Sequence, residues 1–221
     1  MKKTTRVLVA LLALTLVTSC FVGGTFAKYV TDIGSATDNA RVAKWGVTGS
    51  ITGEAFAKTY EAHDGTTAFD ITVESSTEDK VVAPGTNGTF TGIALSGKPE
   101  VAVKVTKTAT VDLSDWEVDG AYYCPLAVTI EGTTLNGNDY DSAAEFAADI
   151  KAKIEAGTGE YAANTDLSTV DALNGDYTWA WAFENGVEQT NALDTKLGDK
   201  AVNATADTIT ITVAAIVEQI D

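Results

Sequence analysis

The sequence predicts a mostly β protein, a jelly-roll-type antiparallel β-sandwich with one inserted α-helix at about 142–156. Three observations carry that expectation. Short stretches alternate apolar and polar residues with the period of two that a half-buried strand requires. Clusters rich in Gly, Asn, Asp and Ser separate these stretches roughly every 8 to 12 residues, as turns do between packed antiparallel strands. Only one stretch, opening at Ser142, carries clear helix punctuation.

The chain begins with Lys2, Lys3 and Arg6, an apolar run over 7–17, and the small-residue end Thr25, Phe26, Ala27. That is the layout of a secretory signal, with cleavage expected between Ala27 and Lys28. The run is short of the roughly 20 residues that a membrane span needs. Residues 1–27 are therefore assigned to the signal and 28–221 to a single domain, secreted or held at the cell surface. A second reading of the same stretch places a lipoprotein-type cut before Cys20, whose acyl chain would then tether the protein to the membrane.

The whole chain has 15 basic and 31 acidic residues, and three of the basic ones leave with the signal. So acidic a product repels nucleic acid and anionic lipid, which argues against both as partners. After cleavage only Cys124 remains of two cysteines, so no intramolecular disulfide can form and burial must hold the fold. With no histidine near it in sequence, Cys124 reads as a small buried hydrophobe and not as a nucleophile.

Behind the cut, residues 28–33 (Lys28, Tyr29, Val30, Thr31, Asp32, Ile33) form a short strand candidate, followed by a polar joint at 34–39. Strand character resumes at 42–47. Residues 68–74 alternate, with Phe69, Ile71 and Val73 on one face. Val81 and Val82 lead into a Pro84-Gly85 turn, and the next strand is expected over 89–96. Residues 100–111 put Val101, Val103 and Val105 inward with Lys104 and Thr106 outward, and 122–130 follows, with Pro125 marking an edge or bulge. The helix rests on a capping box, Ser142 with Glu145, on the stripe Phe146, Ile150, Ile154, and on Gly157 as its stop. Tyr177, Trp179, Trp181 and Phe183 share one face of an aromatic strand, either core or an exposed platform for stacking sugars. Residues 208–220 form a closing strand, in which Ala214 and Ala215 are expected to shift register so that Ile216 and Ile220 turn inward.

Catalytic chemistry finds little to stand on. A Ser-His-Asp triad would have to use the single His63, with Ser75 or Ser76 and Asp64 or Asp70, from a stretch that reads as a turn. The two-histidine HExxH signature of zinc hydrolases is absent, as are glycine-rich phosphate loops. Asn136, Asn138, Asp139 and Asp141 space oxygen donors around Gly137 loosely like a calcium loop, though the later bidentate glutamate is missing. A turn entering the helix N-terminus accounts for the same residues. No enzyme and no cofactor are expected, calcium being the one candidate.

Several segments together resemble a known family. The signal end Gly23-Gly24-Thr25-Phe26-Ala27, followed by Lys28-Tyr29-Val30-Thr31-Asp32, resembles the SipW-dependent signals of the TasA and camelysin family of Gram-positive bacteria. The Val82-Ala83-Pro84-Gly85-Thr86 turn, the segment 194–198 and the end 217–221 are similar to stretches of the same family. The resemblance implies a jelly-roll subunit of an extracellular biofilm fibre, cut by a SipW-type signal peptidase. Its partners would be copies of itself and related fibre subunits. Assembly would proceed by insertion of a freed N-terminal strand into the next subunit. The donor would be residues 28–33, extending through Trp45 at most, with Tyr29 as anchor. Camelysin-type members are described as metallo-endopeptidases, which keeps a surface protease as the alternative. A glycan-binding adhesin using Trp179 and Trp181 is the third reading.

Overall fold

A computed structural model describes residues 41–51, 55–63, 70–114, 116–182, 188–203 and 207–220. Residues 43–220 form one compact unit; of the other, residues 1–42 with 221, only Arg41 and Val42 are described. The signal, its cut at Ala27 and Lys28, Cys20 and the strand candidate 28–33 all lie outside the described residues.

The described fold is mostly β, with several antiparallel sheets and two α-helices. One sheet has four strands: β4 (Asn87–Thr91), β12 (Asp176–Trp181), β9 (Leu126–Ile130) and β10 (Thr133–Asn136), in that spatial order. A second has three: β11 (Gly159–Tyr161), β6 (Val103–Ser114) and β13 (Thr208–Gln219). Three two-stranded ladders complete the set. They are β1 (Thr48–Ile51) with β5 (Ile93–Ser96), β2 (Thr59–His63) with β3 (Asp70–Glu74), and β7 (Glu117–Val118) with β8 (Ala121–Tyr122).

Two apolar clusters fill the interior. The larger joins Leu126, Val128 and Ile130 of β9, the rings of β12, Ala109 and Leu113 of β6, and helix α1 (Ala143–Ile154). The smaller gathers Ile93 and Leu95 of β5, Val103 and Val105 of β6, and Leu167 and Leu173 from single 3-10 turns. β6 runs through both, and Lys107 sits on its inward face between them, 2% exposed. Its Nζ donates to Ala172 O at 2.7 Å and stands 3.9 Å from Glu131 Oε1. Burial lowers the pKa of this amine, an effect that the Glu131 carboxylate opposes. Glu131 is delivered by the two-residue turn between β9 and β10, where Glu131 and Gly132 both have positive φ, as a tight hairpin with right-handed twist requires.

The helix signals at Ser142 translate directly. Ser142 Oγ accepts from Glu145 N–H at 3.3 Å, while the Glu145 carboxylate accepts from Asp141 N–H. Phe146, Ile150 and Ile154 are buried, α1 packs against β6, and Gly157 takes φ +82° just beyond the end. The Pro84-Gly85 turn is stitched to β12: Gly85 N–H donates to Trp181 O at 2.8 Å and Trp181 N–H to Thr86 O at 2.9 Å.

Other expectations are corrected. A second helix, α2 (Glu188–Asn203), is present where the sequence predicts only one. It escapes the apolar-stripe test because, among its described side chains, Leu197 alone is deeply buried, with Leu193 partly covered. The strand expected over 89–96 is two strands in different sheets, breaking at Gly92. A Cβ there would fall 2.3 Å from the Tyr177 ring and 2.4 Å from Gly175 O, so only glycine allows the chain to change sheets beside β12. The stretch 122–130 likewise divides, with Pro125 just before β9. Finally, β13 pairs with β6 without interruption from Thr208↔Ser114 to Gln219↔Val103. Ala214 and Ala215 shift nothing, and Ile216 faces solvent at 60% exposure.

Candidate functional site

The site begins with a strand that lacks a neighbour. In the order β11-β6-β13, β13 has β6 on one side and, among the described residues, nothing on the other. Its partner β6 buries Val103, Val105, Lys107, Ala109 and Leu113. The residues directly across from these on β13 are Gln219, Val217, Ala215, Val213 and Ile209, and no residue of β13 is fully buried. Ile209, Ile211, Val213, Ala215 and Val217 are half-covered, an apolar row with one flank open.

Edges of this length are normally guarded by lysines, prolines, bulges or brevity, because an exposed row of backbone groups recruits foreign strands. β13 has none of these guards. It is twelve residues long, in unbroken register, with no proline and no charge before Glu218. In a chain with net charge -16, an uncharged stretch of ten residues at a sheet edge is a departure from the rest of the molecule.

A cavity of about 570 Å³ opens at the start of this edge. Thr208, Ile209 and Thr210, the first residues of β13, all line it. Its apolar walls include Phe56, Val81, Trp116, Trp181 and Leu197, and Asp79, Lys80 and Asp207 contribute charge. Trp116 is fixed by Nε1–H donating to Thr208 O at 2.8 Å, and its ring meets Trp181 at 6.1 Å between centroids. The buried Trp181 Nε1 finds no acceptor among the described residues.

The sequence-predicted site residues fare unevenly. Tyr177, Trp179 and Trp181 are 4–6% exposed, so the aromatic face is core and offers no exposed row of rings for sugars; Phe183 lies outside the described residues. Asn138 Oδ1 accepts from Cys124 N–H at 2.9 Å, and Asn136 Nδ2 donates to Asp139 Oδ2 at 3.0 Å. The loop around Asn136, Asn138, Asp139 and Asp141 is thus organised by its own hydrogen bonds. Among the described residues no three His, Cys, Asp or Glu side chains are grouped to hold a metal. Cys124 is fully buried against Tyr122, and burial pushes its thiol up to about 12. His63 lies on β2 with its side chain outside the described set, as are Asp64 and the Asp70 side chain. Ser75 Oγ accepts from Thr77 N–H at 3.3 Å, a local turn contact.

Of the segment 28–45, Lys44 is engaged within its own unit. Its N–H donates to Glu100 Oε2 and its carbonyl accepts from Glu100 N–H, both at 2.9 Å, and 41–47 form no strand. No family model, no curated protein and no solved structure matches the chain.

Proposed function

We propose that this protein is an exported structural subunit that assembles with copies of itself by strand addition. Residues 28–33 of one copy, freed by cleavage after Ala27, pair with the open edge of β13 in the next. The strand lies within what we read as a jelly-roll-type sandwich. Because donor and acceptor are different surfaces, the contact is head-to-tail and extends into a filament, as the likeness to secreted biofilm-fibre proteins implies. The carrying observation is the unguarded, half-covered edge of β13.

Magnitudes decide which part of the contact matters. Six donor residues offer about six backbone hydrogen bonds, each worth about 1 kcal/mol net. Ordering six residues costs about 1–2 kcal/mol apiece, so the ladder alone does not hold. The surplus must come from apolar burial. Ile209, Ile211 and Val213 supply half-covered surface on one face of the acceptor, and Tyr29 and Ile33, which share a face of an extended donor, supply it on the other side. Deleting residues 28–38 from the mature protein should leave a folded monomer that forms no filaments by electron microscopy. Undiminished filaments from that deletion would refute the reading.

A further inference from the structure

The cavity at the start of the β13 edge has α2 as one wall, through Leu197, Gly198 and Ala201. A strand pairing along the whole of β13 must pass this cavity, because Thr208, Ile209 and Thr210 line it. The helix that forms this wall is held largely by polar contacts. Among its described side chains Leu197 alone is deeply buried, Leu193 is partly covered, and Val202 is 83% exposed. The rest of its attachment is polar. Lys196 Nζ meets Asp119 Oδ2 at 2.5 Å, and Lys200 Nζ meets Asp207 Oδ1 at 2.7 Å while also donating to Glu117 O at 3.3 Å. Tyr123 Oη–H donates to Asp194 Oδ1 at 2.7 Å. Asp119 is presented by the Asp119-Gly120 turn of the β7–β8 hairpin, both residues at positive φ. A sixteen-residue helix whose described apolar contacts come down to Leu197 and the partly covered Leu193 belongs to the less stable part of a fold, which opens without global unfolding.

We infer that α2 is a strap over the acceptor edge: seated, it closes the start of the β13 groove, and released, it admits the full length of an incoming strand. This rests on the strand-addition reading and adds its regulation. The Lys196–Asp119 pair is exposed and weakens with salt, so salt raises the rate of strand addition, and strengthening the helix lowers it.

Two substitutions push in opposite directions without touching β13 or the donor. Asp119→Asn cuts the tie to Lys196 yet keeps a residue that tolerates positive φ. Gly198→Ala strengthens the helix, since its Cβ would meet nothing within 4 Å. The acceptor is the mature chain lacking 28–38, and the probe is a fluorophore-labelled synthetic peptide of residues 28–38. Hydrogen exchange over 188–203 reads the strap itself. Asp119→Asn should speed both exchange and peptide addition about twofold. Gly198→Ala should slow both by roughly fivefold. If exchange shifts as designed while peptide adds to all three proteins at one rate, the strap is refuted and strand addition stands. Failure of the peptide to add to any of them overturns strand addition and the strap with it.

Discussion

β12 and β13 read alike and end in opposite circumstances. Both alternate cleanly: Tyr177, Trp179 and Trp181 on one, Ile209, Ile211 and Val213 on the other. β12 has β9 on one side and β4 on the other, and its three rings are 4–6% exposed. Among the described residues β13 has β6 alone, and none of its side chains is fully buried. Alternation therefore fixes which face of a strand is apolar and says nothing about whether both of its edges are occupied. Closure on both edges makes a strand part of the core, whereas a free edge leaves backbone groups and half-covered side chains available to a partner.

The sharpest test of the difference is to truncate one large side chain on each strand. Trp179 packs on Phe56 and Tyr60, at 5.3 and 5.9 Å between ring centroids, and donates Nε1–H to Ala55 O at 2.6 Å. Trp179→Ala should cost about 3–5 kcal/mol and lower the melting temperature by roughly 10 °C. Ile216→Ala on β13, at a site 60% exposed, should change stability by less than about 0.5 kcal/mol. Chemical denaturation of both variants measures the gap; equal losses would mean that β13 is as enclosed as β12.

Alkali separates the same regions by charge. The buried thiol of Cys124, between β8 and β9, titrates at about 12 against an ordinary value of 9.0. The folded state keeps this proton where the unfolded chain has lost it, so stability falls as pH rises past about 9 and continues to fall until about 12. The slope from this group alone is about 1.4 kcal/mol per pH unit. Tyr177, also raised to about 12 by burial, adds loss of the same sign. Lys107 acts oppositely: its pKa is lowered on folding, so it contributes stability as pH rises towards 10.5. Comparing the wild type with Cys124→Ala cancels both, and the variant should show the shallower decline in stability between pH 9 and 11. β13 carries no titratable side chain before Glu218 and contributes nothing to this slope.

Much of this architecture was legible from residue order. The capping box at Ser142, the stripe Phe146, Ile150, Ile154 and the stop at Gly157 locate α1 because each signal is local. The alternation of Val103 and Val105 locates β6 for the same reason. Lys107 breaks that alternation, and only the distant Ala172 carbonyl and Glu131 carboxylate make its burial tolerable. α2 escapes the sequence because Leu193 and Leu197 are its only described apolar contacts with the core and polar ties supply much of the rest. The sheet change at Gly92 depends on Tyr177, 85 positions away, which no window of sequence contains. The open edge belongs to the same kind: the strand could be read from its own residues, but the missing neighbour could not.

The smallest expected change in stability tests that edge most directly. Thr212 of β13 and Thr110 of β6 are directly paired, both exposed, and carry the same side chain. They differ in that β13 has no described neighbour on its far side, whereas the far side of β6 beside Thr110 is covered by Glu155, whose Oε1 accepts from Ala109 N–H at 2.9 Å. A lysine at either site should alter stability by no more than about 0.5 kcal/mol and raises the net charge equally. At 212 it supplies the guard that natural edges use, a charge that an added strand must desolvate beside its own backbone. Thr212→Lys should therefore suppress filament growth and addition of the 28–38 peptide, while Thr110→Lys leaves both near wild-type rates. If the two lysines suppress growth to the same extent, the cause is net charge and the acceptor lies elsewhere than on β13. If neither does, the edge of β13 takes no part in assembly.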